Sequence, residues 1–316
     1  MTINKNRIGI AVIVVFLLAV IVTGQTVTAP QETQSADTVT YTIGYLPITH
    51  ALPVFKEKEF LEEQNSNVRI KLQKFNSWTD LTDALHAGKI DGASELIELA
   101  MGAYAQGIDL KAVALGHRDG NVVVANDSIS FAKDLKGKTF AIPSTQSSHY
   151  ILLQETLKRA GLSLSDVTVT QLAPSEMPSS LASGAIDAYC VAEPFGAQAV
   201  TQKFGNVLSR SDELWKDSIC CALVFRNDVI NQDKEAFQTF LSSYYKAGKQ
   251  LDQTESMRIA KKYLGQEEKT LETSLAWIRY DDLRITEKSY QTLCDKIIED
   301  KILDTPPSFT DFVYQQ

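Results

Sequence analysis

The sequence predicts an α/β fold of two open lobes joined by a hinge around a central cleft. Three observations carry this reading. The segment Leu85-x-x-Gly88-x-Ile90-Asp91 recurs as Leu181-x-x-Gly184-x-Ile186-Asp187 at an offset of 96 residues. Within each copy, short alternating apolar runs exchange with helical periodicity. From Asp233 onward the spacing of Phe237, Phe240, Leu241, Tyr244 and Tyr245 is helical alone. Strands alternating with helices imply parallel sheets covered on both faces, and two such units imply two lobes.

The first copy reads strand 41–46, helix 51–64, strand 68–75, helix 79–87 and strand 90–93. Ser77-x-x-Asp80 starts its second helix as a capping box, and Gly88 sits where a left-handed C-terminal cap belongs. The second copy reads strand 139–142, helix 147–160, strand 167–172, helix 175–183, closed by Gly184, and strand 186–191. The same register lays Thr49 on Thr145 and Ser77-Trp78 on Ala173-Pro174. The helical tail is expected to pack on the first lobe. Facing α/β lobes place strand C-termini and helix N-termini around a shared crevice, the usual ligand position of open sheets.

Lys5 and Arg7 precede an uncharged run, IGIAVIVVFLLAVIV, at 8–22. Its length and N-terminal positive charge read as an export signal, either cleaved at Val22-Thr23-Gly24 or retained as an anchor. Residues 1–24 are thus the signal peptide or membrane anchor, and 25–38, rich in Thr, Gln and Ser, a flexible spacer. The expected location is the periplasmic or extracellular face of the cell membrane. Composition agrees with a folded soluble domain: 44% hydrophobic and 22% charged residues leave neither a disordered nor a many-span membrane chain. The net charge of −8 argues against capture of nucleic acid, which needs a basic face.

Four cysteines, Cys190, Cys220, Cys221 and Cys294, are too few for a disulfide framework, and vicinal Cys220-Cys221 does not bridge readily. Cys190 and Cys294 read as small buried apolar residues. Cys190, Cys220 and Cys221 fall where chain segments should border the cleft. Packing accounts for them; a thiol-lined wall for a soft or sulfur-containing ligand is the sharper reading. The four histidines lack metal-ligand spacing, so no metal site and no cofactor is expected, with His86 and His117 assigned to the surface.

Gly44-Tyr-Leu-Pro-Ile-Thr-His-Ala, the Phe75-Asn-Ser-Trp-Thr-Asp-Leu segment, Asp134-Leu-Lys-Gly-Lys-Thr-Phe and Ile186-Asp-Ala-Tyr-Cys-Val-Ala-Glu-Pro-Phe together carry a further signal. In this order they resemble the extracytoplasmic solute-binding proteins of the nitrate, bicarbonate, taurine and aliphatic-sulfonate importers. That resemblance implies a type II periplasmic-binding-protein fold, a monomer, and a membrane permease and an ATPase as partners. It implies hinges near 125–127 and 219–224, with lobe 1 formed by 39–125 and 225–316 and lobe 2 by 126–224. It also suggests ligand-binding positions: Thr49 and His50 after the first strand, Trp78 as a wall, and Ser94 and Glu95 after the third strand. On the facing lobe it suggests Thr145, Gln146, Ser148 and His149 at a helix start, then Tyr189, Cys190 and Glu193, with Cys221 at the return crossing. The sequence Ser144-Thr-Gln-Ser-Ser-His149 departs from the nitrate-type pattern.

No Gly-x-Ser-x-Gly elbow or His-Glu-x-x-His helix occurs, and Gly137-Lys138-Thr139 lacks the first glycine of a phosphate loop, which is Ala132 here. A binding protein rather than an enzyme is therefore expected, taking a small anion of the sulfonate, taurine or nitrate kind at paired helix N-termini. The alternative within the binding class is a flat pyrimidine stacked on Tyr45, Trp78 or Tyr189. A membrane-tethered sensor and an enzyme like the thiamine-pyrimidine synthases rank below both.

Overall fold

The computed structural model describes residues 38–315. The expected signal or anchor segment and nearly all of the spacer lie outside the described residues. Among those described, no helix is long and apolar enough to cross a membrane.

Strand β1 (Val39–Tyr45) leads through a tight turn at Thr49–Ala51 into α1 (Leu52–Glu63), and β2 (Val68–Lys74) returns beside it. Then come α2 (Trp78–His86), β3 (Gly92–Leu96), α3 (Ile97–Ala105) and β4 (Leu110–Leu115). After β5 (Arg118–Asp119), strand β6 (Asn121–Ala125) opens the second unit, followed by β7 (Thr139–Ile142), α4 (Ser148–Arg159), β8 (Thr168–Gln171) and α5 (Met177–Ala182). That unit continues through β9 (Ala188–Ala192), α6 (Phe195–Thr201), β10 (Asn206–Arg210) and α7 (Ser211–Leu214). The chain returns as β11 (Cys221–Arg226) and ends in α8 (Asn227–Gln232), α9 (Lys234–Gln250), α10 (Gln253–Leu264), α11 (Glu268–Leu275), β12 (Ile278–Arg279), α12 (Glu287–Glu299) and α13 (Phe309–Phe312).

Two five-stranded sheets result, ordered β2-β1-β3-β11-β4 and β10-β6-β9-β7-β8. The expected parallel core is present in each, as in the β1/β2 register that sets Ile43 on Leu72 and the β7/β8 register that sets Ala141 on Thr170. The sheets are mixed rather than all parallel. Strand β11 runs antiparallel to β3 and β4, and β6 antiparallel to β9 and β10, because each crosses over from the other unit and enters its sheet from the far end. Every residue of β3, β6 and β9 is buried, as in strands covered on both faces. Ser77 caps α2 by accepting the Asp80 N–H at 3.1 Å, and Gly88 and Gly184 adopt left-handed φ angles of 67° and 76°. The local signals in the sequence therefore mark real boundaries.

The first crossing is displaced from its expected hinge, and the second falls within the expected 219–224 span. Strand β6 already belongs to the second sheet, so the first change of sheet falls between β4 and β6, before Ala125. Strand β11 lies wholly in the first sheet, so the second unit ends before Cys221 rather than at 224. The apolar Val122-Val-Val-Ala125 reads as the end of lobe 1 in one dimension, but its partners β9 and β10 are reached only after the crossing.

The helical tail also does more than close the first lobe. Helix α9, capped by Asp233 accepting the Ala236 N–H, packs Phe237 and Phe240 edge-on against Tyr41 and Phe225 of the first sheet, with Phe225 ring separations of 5.2 and 5.0 Å respectively. Helix α11 reaches α6 through a Thr201–Thr270 hydroxyl pair, and α12 reaches α4 through Lys296–Glu155 at 2.6 Å. Strand β12 pairs with β5 at the first crossing, where Arg279 binds Asp119 at 3.0 Å. Asp119 and Gly120 turn the chain there with left-handed φ of 60° and 79°. A Cβ on Gly120 would fall 2.8 Å from the Ile278 side chain. Gly120→Ala is therefore expected to lose roughly 2 kcal/mol or more of stability from backbone strain and overpacking. In urea unfolding, the double variant with Ile278→Ala should be less destabilised than the sum of the two single changes; simple additivity would disprove the contact.

Candidate functional site

The C-terminal ends of β1 and β4, the start of β11 and the first crossing converge on one buried point. Ligand atoms of His50, His117, Cys220 and Cys221 there all lie within 4.8 Å of one another, and all four residues are buried. The sequence spacing gave no hint of a cluster because its donors come from three strand ends far apart in the chain. His117, expected at the surface, is 1% exposed, since β5 pairs with β12 and closes the loop that carries it; His86 is half-buried.

Local geometry fixes each donor. The His50 backbone is held because the Thr49 N–H and hydroxyl both donate to the Glu193 carbonyl, at 2.9 and 3.1 Å, while the Tyr280 hydroxyl donates to the Thr49 carbonyl. Gly116 lets three segments meet. Its N–H donates to the Cys221 carbonyl at 2.8 Å, and a Cβ there would stand 2.9 Å from the His50 carbonyl oxygen. Helix α3 starts from the same place, with the Ile97 N–H on the Cys220 carbonyl at 3.0 Å.

The hydrogen bonds also fix the tautomers. A carbonyl can only accept, so His117 Nδ1, 2.6 Å from the Asp119 oxygen, carries the proton, and the Nε2 lone pair accepts the Cys221 backbone N–H at 3.4 Å. His50 Nε2 faces the Gly120 carbonyl at 3.3 Å, leaving the Nδ1 lone pair toward Cys221 Sγ at 3.2 Å. The two imidazoles stack with centroids 3.4 Å apart, and the two sulfurs are 3.8 Å apart. Cys220 Sγ lies 3.8 Å from Asn121 Oδ1.

Burial, the neighbouring His117 and other groups hold His50 down at about 4, so it is neutral. Burial raises the Cys220 thiol, but Cys221 and the imidazoles of His149, His117 and His50 outweigh it and bring the first deprotonation well below the ordinary thiol value. Burial and the Cys220 charge then hold Cys221 well above it, so the pair shares one negative charge before it carries two. Burial, then the Cys220 charge, keeps the Glu98 carboxyl in the first turn of α3 protonated.

The other expected positions divide. Ser148 and His149, at the start of α4, are fully buried beside the cluster; neither the Ser148 hydroxyl nor either His149 nitrogen has a hydrogen-bond partner among the described residues. Ser94 and Glu95 are buried in β3, and Glu95 accepts the Thr82 hydroxyl. Glu193 turns its carboxylate to the Ala197 N–H and serves α6, while its carbonyl serves Thr49. Thr145 and Gln146 are exposed and line a surface cavity with Tyr150 and Ile302. Trp78 is buried as the first residue of α2 rather than in the loop before it. The Tyr189 hydroxyl is taken by the Phe195 carbonyl, Tyr45 packs on Phe55 in the core, and Cys190 and Cys294 are free and buried. Sequence reasoning missed His117, Glu98 and Asn121. The signal available was that His50, His149 and Cys220-Cys221 all fall at element starts facing one crevice.

The chain belongs to the NMT1-like family, whose model matches residues 34–265. It is 28% identical over 242 residues to the nitrate/nitrite binding protein NrtA of Nostoc sp., covering 68% of this chain and 54% of that protein. It is 28% identical over 217 residues to the taurine-binding periplasmic protein of Escherichia coli, covering 66% and 65%. The chain thus spans between about half and two thirds of these curated relatives. A solved structure, the ligand binding component of an ABC-type import system from Staphylococcus aureus with zinc bound, is 37% identical with a TM-score of 0.84, covering 87% of this chain and 96% of that one. The fold is that of periplasmic binding proteins.

The buried acids impose a pH dependence on stability. Burial raises Glu95 to about 8 against 4.5 when unfolded, so the folded chain holds that proton longer. The stability this group permits is complete below about 4.5 and is lost as pH rises toward 8, at roughly 1.4 kcal/mol per pH unit. Urea unfolding at pH 5 and pH 8 should show Glu95→Gln losing less stability over that interval than the parent. An unchanged difference would mean that Glu95 is not desolvated.

Proposed function

We propose that this protein is the exported solute-capturing component of an ABC importer, and that its solute is a divalent transition metal ion of the zinc kind. The observation that carries this reading is the buried set of two imidazole lone pairs and two thiols at the junction of the two sheets. A tetrahedral ion with Zn–N near 2.0 Å and Zn–S near 2.3 Å separates its donors by about 3.3–3.8 Å. His50 Nδ1 to Cys221 Sγ measures 3.2 Å and Cys220 Sγ to Cys221 Sγ 3.8 Å, close to that range, and since all four ligand atoms lie within 4.8 Å of one another the remaining pairs close by side-chain movement.

Charge balance favours a divalent ion. Binding displaces the two thiol protons, and two thiolates neutralise two positive charges while the imidazoles and Glu98 stay neutral, which a site with no access to water requires. The carbonyls of Asp119 and Gly120 orient the two rings from behind, as outer partners do for metal-bound histidines. Relatives named for nitrate and taurine and the zinc-bound neighbour share an import role; the family resemblance supplies the permease and ATPase as partners and a place outside the cytoplasm.

A second reading is a small oxyanion at the start of α4, favoured by the unpartnered Ser148 hydroxyl and Asn121 amide. The two separate in one experiment. The full chain, stripped of metal, is heated alone and with Zn2+, Cd2+, nitrate, taurine or methanesulfonate. Zn2+ and Cd2+ should raise Tm by several degrees in the parent and not in the Cys220→Ser, Cys221→Ser double variant. A rise with an anion and none with either metal would overturn the metal reading in favour of the second.

A further inference from the structure

All four clustered donors belong to the first sheet or to the crossings between the sheets. An ion held by them alone touches the second lobe only through the chain itself. Such an ion cannot select a closed arrangement, because a ligand shifts a conformational equilibrium only by its differential affinity for the two states. If capture is to be signalled by closure, a group on the second lobe must touch the ion.

One side chain meets that requirement. His149 stands in the first turn of α4, in the second unit, and is fully buried. Neither Nδ1 nor Nε2 has a hydrogen-bond partner among the described residues. A buried imidazole with two unmade hydrogen bonds is costly, and such a group calls for a partner. His149 lies within electrostatic reach of Cys220, His117 and His50, three of the four clustered donors. Its backbone is fixed by the Ser147 cap on the Tyr150 N–H, so the ring is delivered by a helix rather than a loose loop.

Resting on the metal reading above, we propose that His149 is the second lobe's ligand to the ion, so that metal capture and lobe closure are one event. The step adds one donor: the Nδ1 or Nε2 lone pair enters the four-donor coordination sphere as a fifth ligand when α4 arrives and leaves it when the lobes part, with no other bond broken and no proton moved on His149. Release to a transporter then follows from opening the lobes, since opening withdraws this one donor while the first lobe keeps the rest.

The test uses Co2+, whose absorption reports ligand type and number, on the full chain and three variants, with small-angle scattering of the same samples. The parent should show thiolate-to-cobalt charge transfer and a radius of gyration that falls on metal addition. His149→Gln should keep the charge-transfer band, shift the d–d bands, bind Co2+ about 10- to 100-fold more weakly, and show no decrease in radius. His149→Cys, which restores a donor, should recover affinity and the decrease in radius with added charge-transfer intensity. Cys220→Ser should lose most binding whatever happens at 149. Equal affinity, equal d–d bands and equal compaction in His149→Gln would overturn the proposal while leaving the metal reading intact. A parent chain that binds no Co2+ overturns both. Unchanged melting of metal-free His149→Gln shows that the variant folds; if it does not, the His149→Cys recovery decides.

Discussion

The arrangement depends on a close approach of three chain segments at Gly116. The Gly116 N–H reaches the Cys221 carbonyl, the His50 carbonyl passes where any side chain on residue 116 would stand, and the Cys220 carbonyl next along holds the start of α3. One glycine thus allows β1, β4 and β11 to end at a common point. The four clustered donors and Glu98 are hung from those ends: His50 on the turn after β1, His117 on the crossing after β4, the two cysteines at the head of β11, and Glu98 in the first turn of α3. Without that approach the donors would be scattered along separate loops with water between them.

Much of the fold was legible because it is written in local signals. Ser77, Asp233, Gly88 and Gly184 act within a turn of their own positions, and the 96-residue repeat maps onto two units whose helices and parallel strands follow each other in the same order. What was not legible is non-local. Strand β6 looks like the end of the first lobe until its ladder to β9 is seen, and the tail's grip on both units depends on Thr270, Arg279 and Lys296 meeting partners far away in sequence. Periodicity reports which face of an element is apolar; it carries no information on which sheet receives it.

The site divides along the same line. His50, Ser148 and His149 were singled out because helix starts after strands are recognisable, Cys221 because it lies at the return crossing, and the structure buries all four. His117 was assigned to the surface because a lone histidine after a strand carries no pattern, and the metal-ligand test applied to the sequence looked for donors close in the chain. Here donors 50, 117, 220 and 221 are brought together by a sheet order in which β11, though late in sequence, lies between β3 and β4. Thr145 and Gln146 lie differently: the register equates Thr145 with Thr49, yet the second copy leaves it exposed and turns Ser147, Ser148 and His149 inward.

The electrostatics explain why such a cluster can persist in a chain with excess negative charge. Buried anions are costly, and Glu95, Glu98 and Glu193 all respond to burial by holding their protons. Cys220 moves the other way, held below the ordinary thiol value against the effect of burial. Beside it Glu95 and Glu98 stay neutral, and so does His50. A cation that draws on both sulfurs meets no competing buried carboxylate.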